Sequence, residues 1–283
     1  MSIPLPTLRR KFEADTLMLN LSQETLQSNI DNVDLDQFLP MLSVVDQEKH
    51  ISTIPPLDRD HPMFYWIFKN IDFARWNSAK RSRVLWLSGL PERKIHQVSS
   101  YIVGQEKNTA LKTEHFVLYF FFSTVAGRTS SVAYFVHTLL KQMVCCLPLD
   151  KGILIIRSFL HSLLERFKEA PELREQGFKA KDLSGENIRK ILDAPANELL
   201  TALMVALGDD EQRSLSVVVD GLDKVEHQRD GFIKGLRAFV EHLQQRVKIL
   251  LTSRPQTDIK EAFDGLLCIE YDKERKGLVV TIF

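Results

Sequence analysis

Five short, largely apolar runs, at residues 84–87, 116–122, 215–219, 247–251 and, more weakly, 266–269, do most to restrict the folds open to this chain. Runs this brief and continuous suit strands buried on both faces of a parallel sheet. Between them lie amphipathic stripes. Val132, Phe135, Val136, Leu139, Leu140 and Met143 form one, and Phe232, Leu236, Phe239, Val240 and Leu243 another, at the spacing of helices that turn one side to a core. The alternation predicts an α/β fold, a doubly wound parallel sheet, with an N-terminal helical segment before it.

Residues 1–61 read as that segment and a linker. They hold a predicted helix over 12–26, an acidic patch over 31–36 and the breakers Pro55 and Pro56. The α/β domain is expected over 62–283. It opens with Phe64, Ile67, Phe68 and Ile71 at helical spacing, then Phe73 and Trp76, an aromatic side to lay against the sheet. Residues 152–167 are apolar around most of the helical circumference, which predicts a deeply packed helix. The charged interval 168–190 reads as an exposed insertion, and 197–207 as the helix leading to the third strand.

The 283 residues carry 37 basic and 37 acidic side chains, and the pI is about 7.1. This balance gives no overall attraction to nucleic acid or to an anionic membrane. The longest apolar run, 116–122, falls far short of the roughly 18 residues of a membrane span. The start, MSIPLPTLRRKFEAD, has prolines and charges where a signal peptide carries its apolar stretch, so a cytoplasmic protein is expected. Cys145, Cys146 and Cys268 form no C-x-x-C pair and read as buried free thiols of a reducing compartment. The eight histidines make no zinc pattern. His96 reads as a solvent-facing helix residue rather than an anion contact.

Chemistry concentrates in three places. Residues 83–103 have the outline of a strand, a turn starting at Gly89 and a helix, the outline of a phosphate-cradling loop. In G-x-x-x-x-G-K-[ST] the glycines let backbone N–H groups converge on phosphate, the Lys brings a point charge and the hydroxyl holds Mg²⁺. Counting from Gly89, those last positions hold Lys94, Ile95 and His96 instead, and no glycine occurs before Gly104. A left-handed backbone there falls to residues with side chains, at about 1–3 kcal/mol each, and Glu92 adds negative charge. The second place is 215–228, LSVVVDGLDKVEHQ. Asp220 ends a strand, where a P-loop enzyme keeps its Mg²⁺-holding carboxylate, and Asp223 is close enough to share the site; D-G-L-D also suits a plain turn. The third is KILLTSRP, whose Thr252, Ser253 and Arg254 could face a γ-phosphate from the neighbouring strand.

Trp76, VLWLSG, SSYIV, VLYFFF, VVVDGLD and KILLTSRP occur in the order and approximate spacing of fungal STAND-class P-loop NTPases. Over about residues 62–275 the chain resembles their NACHT domain, in the form described as nephrocystin-3-like N-terminal. The resemblance implies the ASCE type of P-loop fold, with the sensor strand between the P-loop strand and the Walker B strand, and a nucleotide-gated signalling role using ATP or GTP with Mg²⁺. It maps Gly89 to the first P-loop glycine, Pro91 to a common loop proline, Asp220 to the metal-binding aspartate, Asp223 to the second acid, and Thr252 and Arg254 to the sensor stretch. The departures fall on the chemistry. Lys94, Ile95 and His96 replace Gly, Lys and Ser or Thr, and Lys224 replaces a Glu that serves or supports the water-activating base, so that a cation opposes Mg²⁺ there. In an alternative register, Lys94 takes the lysine's role and acts with Arg254.

The expectation is a NACHT-like domain impaired in nucleotide hydrolysis, working with protein partners as an interaction or signalling module and compatible with oligomerisation. The competing expectation is a weak ATP- or GTP-binding NTPase. A third is a remnant of a longer STAND protein, since the chain ends at Phe283 without the family's repeat array.

Overall fold

The computed structural model describes residues 30, 34–56, 62–79, 83–90, 94–110, 115–124, 130–169, 185–208, 214–226, 228–242 and 247–271. Short helices come first: α1 (Leu35–Phe38), α2 (Gln47–Ser52), α3 (Pro62–Lys69) and α4 (Ile71–Asn77). Then β1 (Arg83–Gly89), α5 (Ile95–Ala110), β2 (His115–Phe121), α6 (Val132–Cys145), α7 (Leu149–Glu169), α8 (Gly185–Leu192) and α9 (Ala196–Gly208) follow. The chain continues with β3 (Ser214–Asp220), α10 (Arg229–His242), β4 (Val247–Ser253), α11 (Thr257–Ala262) and β5 (Leu267–Tyr271).

All five strands are parallel, in the order β2-β3-β4-β1-β5. β4 thus lies between β1 and β3, the insertion the resemblance implied. β1, β3 and β4 run slightly past the apolar runs that signalled them, because the residues beyond still pair within the sheet: Ser88 is level with Ser253, and Asp220 with Phe121 of β2.

The strands are buried on both sides. Trp86, Phe120, Val219 and Leu251 face one cluster with α6 to α10, whereas Leu85, Leu87, Phe121, Val218 and Leu250 face the other with α3 to α5. Ile30, Leu35, Phe38 and Leu42, from the segment before the sheet, join the first cluster. The Trp76 indole N–H donates to the Ile249 carbonyl (3.0 Å), tying α4 to β4.

Several expectations need correction. The aromatic stretch before β1 is two helices. The Asn70 side chain caps the second, accepting from the Asp72 and Phe73 amides, and the break leaves Ile71 exposed, off the core stripe. Leu149 and Leu154 on α7 are also exposed, so that helix packs one side only. The charged interval ends not as an exposed insertion but in α8, with Ile188, Ile191 and Leu192 buried. Cys145 and Cys146 are exposed, and only Cys268 is a buried thiol, pushed up to about 12 by its burial. The predicted helix over 12–26 and the turn residues Pro91 and Glu92 lie outside the described residues. Among the described residues no helix is long and apolar enough to cross a membrane.

Candidate functional site

The C-terminal ends of β1, β3 and β4 lie level, and the chain leaves the sheet there through Gly89, Asp220 and Ser253. Crevices outside the carboxyl ends of parallel strands are where open α/β sheets hold ligands. A cavity of about 360 Å³ opens at this edge, lined among others by Gly89, His96, Asp220, Asp223, Lys224 and Arg254.

Asp220 ends β3 and is buried. Its Oδ1 accepts from the Thr252 hydroxyl of β4 (2.6 Å) and from the Ser99 hydroxyl of α5 (2.7 Å). Thr252 in turn accepts from the Gly221 amide (3.2 Å). The turn after Asp220 needs its glycine. Gly221 has φ +78°, and a Cβ there would stand 3.1 Å from the Phe122 carbonyl oxygen and 3.2 Å from Lys224 Cδ. The aliphatic stem of Lys224 therefore lies across this turn.

Asp223 lines the same cavity but is held elsewhere. Its Oδ1 accepts from the Arg254 amide (3.0 Å), and its Oδ2 from Arg254 Nε (2.6 Å). The two acids that could have shared one ligand are each engaged by a different protein partner, Asp223 from within the one-turn 3-10 helix Leu222–Lys224.

Lys94 is the loop residue with most to say. It has φ +54°, the left-handed region, immediately before α5, and its carbonyl accepts from the Gln97 and Val98 amides. The backbone conformation that a glycine would provide at this position is present, carried by a lysine. The side chain is exposed.

His96, expected to face solvent, is half-buried against the cavity. Burial lowers its pKa; Asp220 opposes this, while the ammonium groups of Lys224 and Lys94 reinforce it. His50, from α2, is depressed by burial and by Lys224, again against Asp220. It packs near the Phe121 ring (6.1 Å), beside Gln47, whose side-chain oxygen accepts from the Phe121 amide (2.8 Å).

Of the residues the sequence singled out, Gly89, Asp220, Asp223, Lys224, Thr252 and Arg254 line one cavity, whereas Lys94 does not; Ser99 and His50, which act on Asp220 or its surroundings from behind that lining, were missed. Ser99 had a signal: it lies one turn beyond His96, among the apolar positions Ile95, Val98, Ile102 and Val103 that mark the buried side of α5. His50 had none, since only folding carries α2 to the sheet edge.

The residues present do not fit Mg²⁺, which takes about six oxygen ligands in near-octahedral order. Asp220 Oδ1 already accepts two hydroxyls, both Asp223 oxygens serve Arg254, and Lys224 brings a positive charge to the same cavity. Among the described residues no group of three or more His, Cys, Asp or Glu could hold a metal ion.

A family model described as Nephrocystin 3, N-terminal matches residues 63–154 and 151–254. The chain belongs to the nephrocystin 3 N-terminal family. That family is NACHT-related. The matched segments of this nephrocystin 3 N-terminal chain take in every candidate residue from Gly89 to Arg254, but neither His50 nor β5. Comparison with curated proteins and with solved structures gave no match.

Proposed function

We propose that this is a NACHT-like domain of the P-loop type that has lost Mg²⁺-dependent nucleotide hydrolysis and acts through its fold as a protein-interaction module in signalling. One observation carries the reading. The acids at the expected metal and second-acid positions are bonded to protein groups, Asp220 to Ser99 and Thr252 and Asp223 to Arg254, and Lys224, where the water-activating base is expected, is a cation. Without a free base and a seat for the metal, attack on a γ-phosphate loses the two terms that lower its barrier most.

The test is phosphate release from ATP and from GTP with Mg²⁺ present. No turnover above the uncatalysed rate is expected. Turnover that disappears in Asp220→Asn would sink the reading. The competing reading, a weak ATP- or GTP-hydrolysing switch, has one observation in its favour: Lys94 has a left-handed backbone at the position where a phosphate-binding loop has its glycine.

A further inference from the structure

We propose that the outer edge of β2 is a self-association surface, taken by β2 of a second copy of this chain running antiparallel to it, and that residues 43–54 are a strap that holds this edge shut. The inference is independent of the cavity, so it stands whether or not nucleotide is hydrolysed.

β2 comes first in the sheet order, so one of its sides has no strand beside it. Backbone groups on that side are answered by side chains. Gln142 of α6 accepts from the Tyr119 amide (2.9 Å) and donates to the Tyr119 carbonyl (3.0 Å), bonding to both groups as a neighbouring strand does. Gln47 of α2 accepts from the Phe121 amide (2.8 Å). Open strand edges are templates for another chain, and proteins blunt them with charge, with proline or with a covering segment. The seven residues of β2, HFVLYFF, include no Asp, Glu, Lys, Arg or Pro, the composition of a strand that pairs with its like. β5, the strand at the other end of the sheet, carries Glu270 with Lys260 bonded to it (3.0 Å). At β2 the protection rests on the two glutamines and the strap.

The strap passes from one side of the sheet to the other around that edge. Val44 and Val45 pack on the cluster shared with α6 to α10, and Ile51 and Ile54 on the cluster shared with α3 to α5. Gln47 marks the crossing. Hydrogen bonds pin the strap more than burial does. The Ser43 amide donates to His137 Nδ1 (3.2 Å), the Val45 amide donates to the Thr138 hydroxyl (3.0 Å), and Glu48 accepts from Tyr119 and Lys107. From Ser43 to Pro56 only Gln47 is buried, whereas Ile30, Leu35, Phe38 and Leu42 before it all enter the core. Gln47 itself is half satisfied, since its buried Nε2 finds no partner among the described residues. Segments with few buried apolar contacts are the ones that open locally. Opening this one bares the Phe121 amide, and two such edges set antiparallel about a two-fold axis offer each other the same patch.

The experiment is size exclusion with light scattering on a dilution series of the full chain, wild type and Gln47→Ala/Gln142→Ala, with hydrogen exchange followed across residues 115–121. A cooperative melt shows that the fold is kept. The wild type is expected not to pair through β2. The double variant is expected to form a saturable dimer in which the amides of 115–121 exchange at least about tenfold more slowly than in the diluted variant. If the double variant does not fold, Gln47→Ala alone carries the test, with a weaker dimer and the same protection expected. A variant that folds and stays monomeric, association without protection at 115–121, or a wild type already paired through β2 would each overturn the proposal. Phosphate release tests the functional reading and association tests this one, so either can fail alone.

Discussion

The two ends of α5 make the same kind of contact with the sheet and put it to opposite ends. Near its start, the helix offers a hydroxyl, Ser99, to a carboxylate of the sheet, Asp220. Near its finish the roles reverse. Glu106 on the helix accepts from Ser216 of β3 (2.6 Å) and from Lys248 of β4 (3.1 Å), and contacts His115 of β2 at 2.9 Å. Each end buries a carboxylate among hydrogen bonds. At the Glu106 end the compensating cation, Lys248, is largely covered, its ammonium over the Trp76 ring (5.5 Å). At the Asp220 end the partners are neutral hydroxyls, and the cations Lys224 and Arg254 stand around a cavity. A closed, self-compensated network fixes the position of a helix, whereas the Asp220 end opens on a cavity.

If that contrast is right, the largest effect on stability should come from the closed end. Glu106→Gln leaves the largely covered Lys248 ammonium without its carboxylate and should cost about 3 kcal/mol, read as a lower denaturant midpoint. A cost of only a few tenths would mean that the network is not what holds α5.

The same network predicts acid sensitivity. Burial raises the pKa of Glu106, but hydrogen bonds from His115 and Ser216 and the charge of Lys248 outweigh it and bring the group to about 2. The folded state therefore holds its proton less tightly than the unfolded chain, whose glutamates titrate near 4.3. The contribution is complete above about pH 5 and is lost as pH falls from there through about 2. Glu106→Gln should flatten that limb of a stability-against-pH curve, and an unchanged limb would assign the sensitivity to other carboxylates.

At the open end, Gly221→Ala should cost about 2 kcal/mol through its left-handed φ and the approach to the Phe122 carbonyl. The smallest effect is expected at Lys94. Lys94→Gly relieves a left-handed lysine at an exposed position and should stabilise by up to about 1 kcal/mol, since the greater freedom of glycine in the unfolded chain offsets part of the gain. A destabilised Lys94→Gly would show that the lysine's positive φ is not a strained conformation.

Much of the fold was legible in the sequence because burial on both faces leaves a simple mark. The runs at 84–87, 215–219 and 247–251 are apolar but for Ser216 and Lys248, and they became β1, β3 and β4. Legibility failed where local pattern and tertiary packing part company. Ile71 had the spacing of a core residue, yet the cap at Asn70 rotated it outward; Cys145 and Cys146 looked like core thiols and ended on an exposed helix terminus. At the site, the motif spacing brought together Gly89, Asp220, Asp223, Lys224, Thr252 and Arg254, but spacing says nothing about which acid takes which partner.

By itself the sequence determined the alternation of strand and helix, the chemistry absent at positions 94–96 and the cation at 224, because each of these is a property of residue type and order along the chain. Only the tertiary structure decided that β4 would lie between β1 and β3, that Ser99 and Thr252 would meet on one oxygen of Asp220, that Asp223 would turn to Arg254, and that Lys94 would adopt the glycine's conformation. Those outcomes depend on the parallel register of strands far apart in sequence and on the rotation of α5 against them, which burial and hydrogen bonding fix together once the chain is folded.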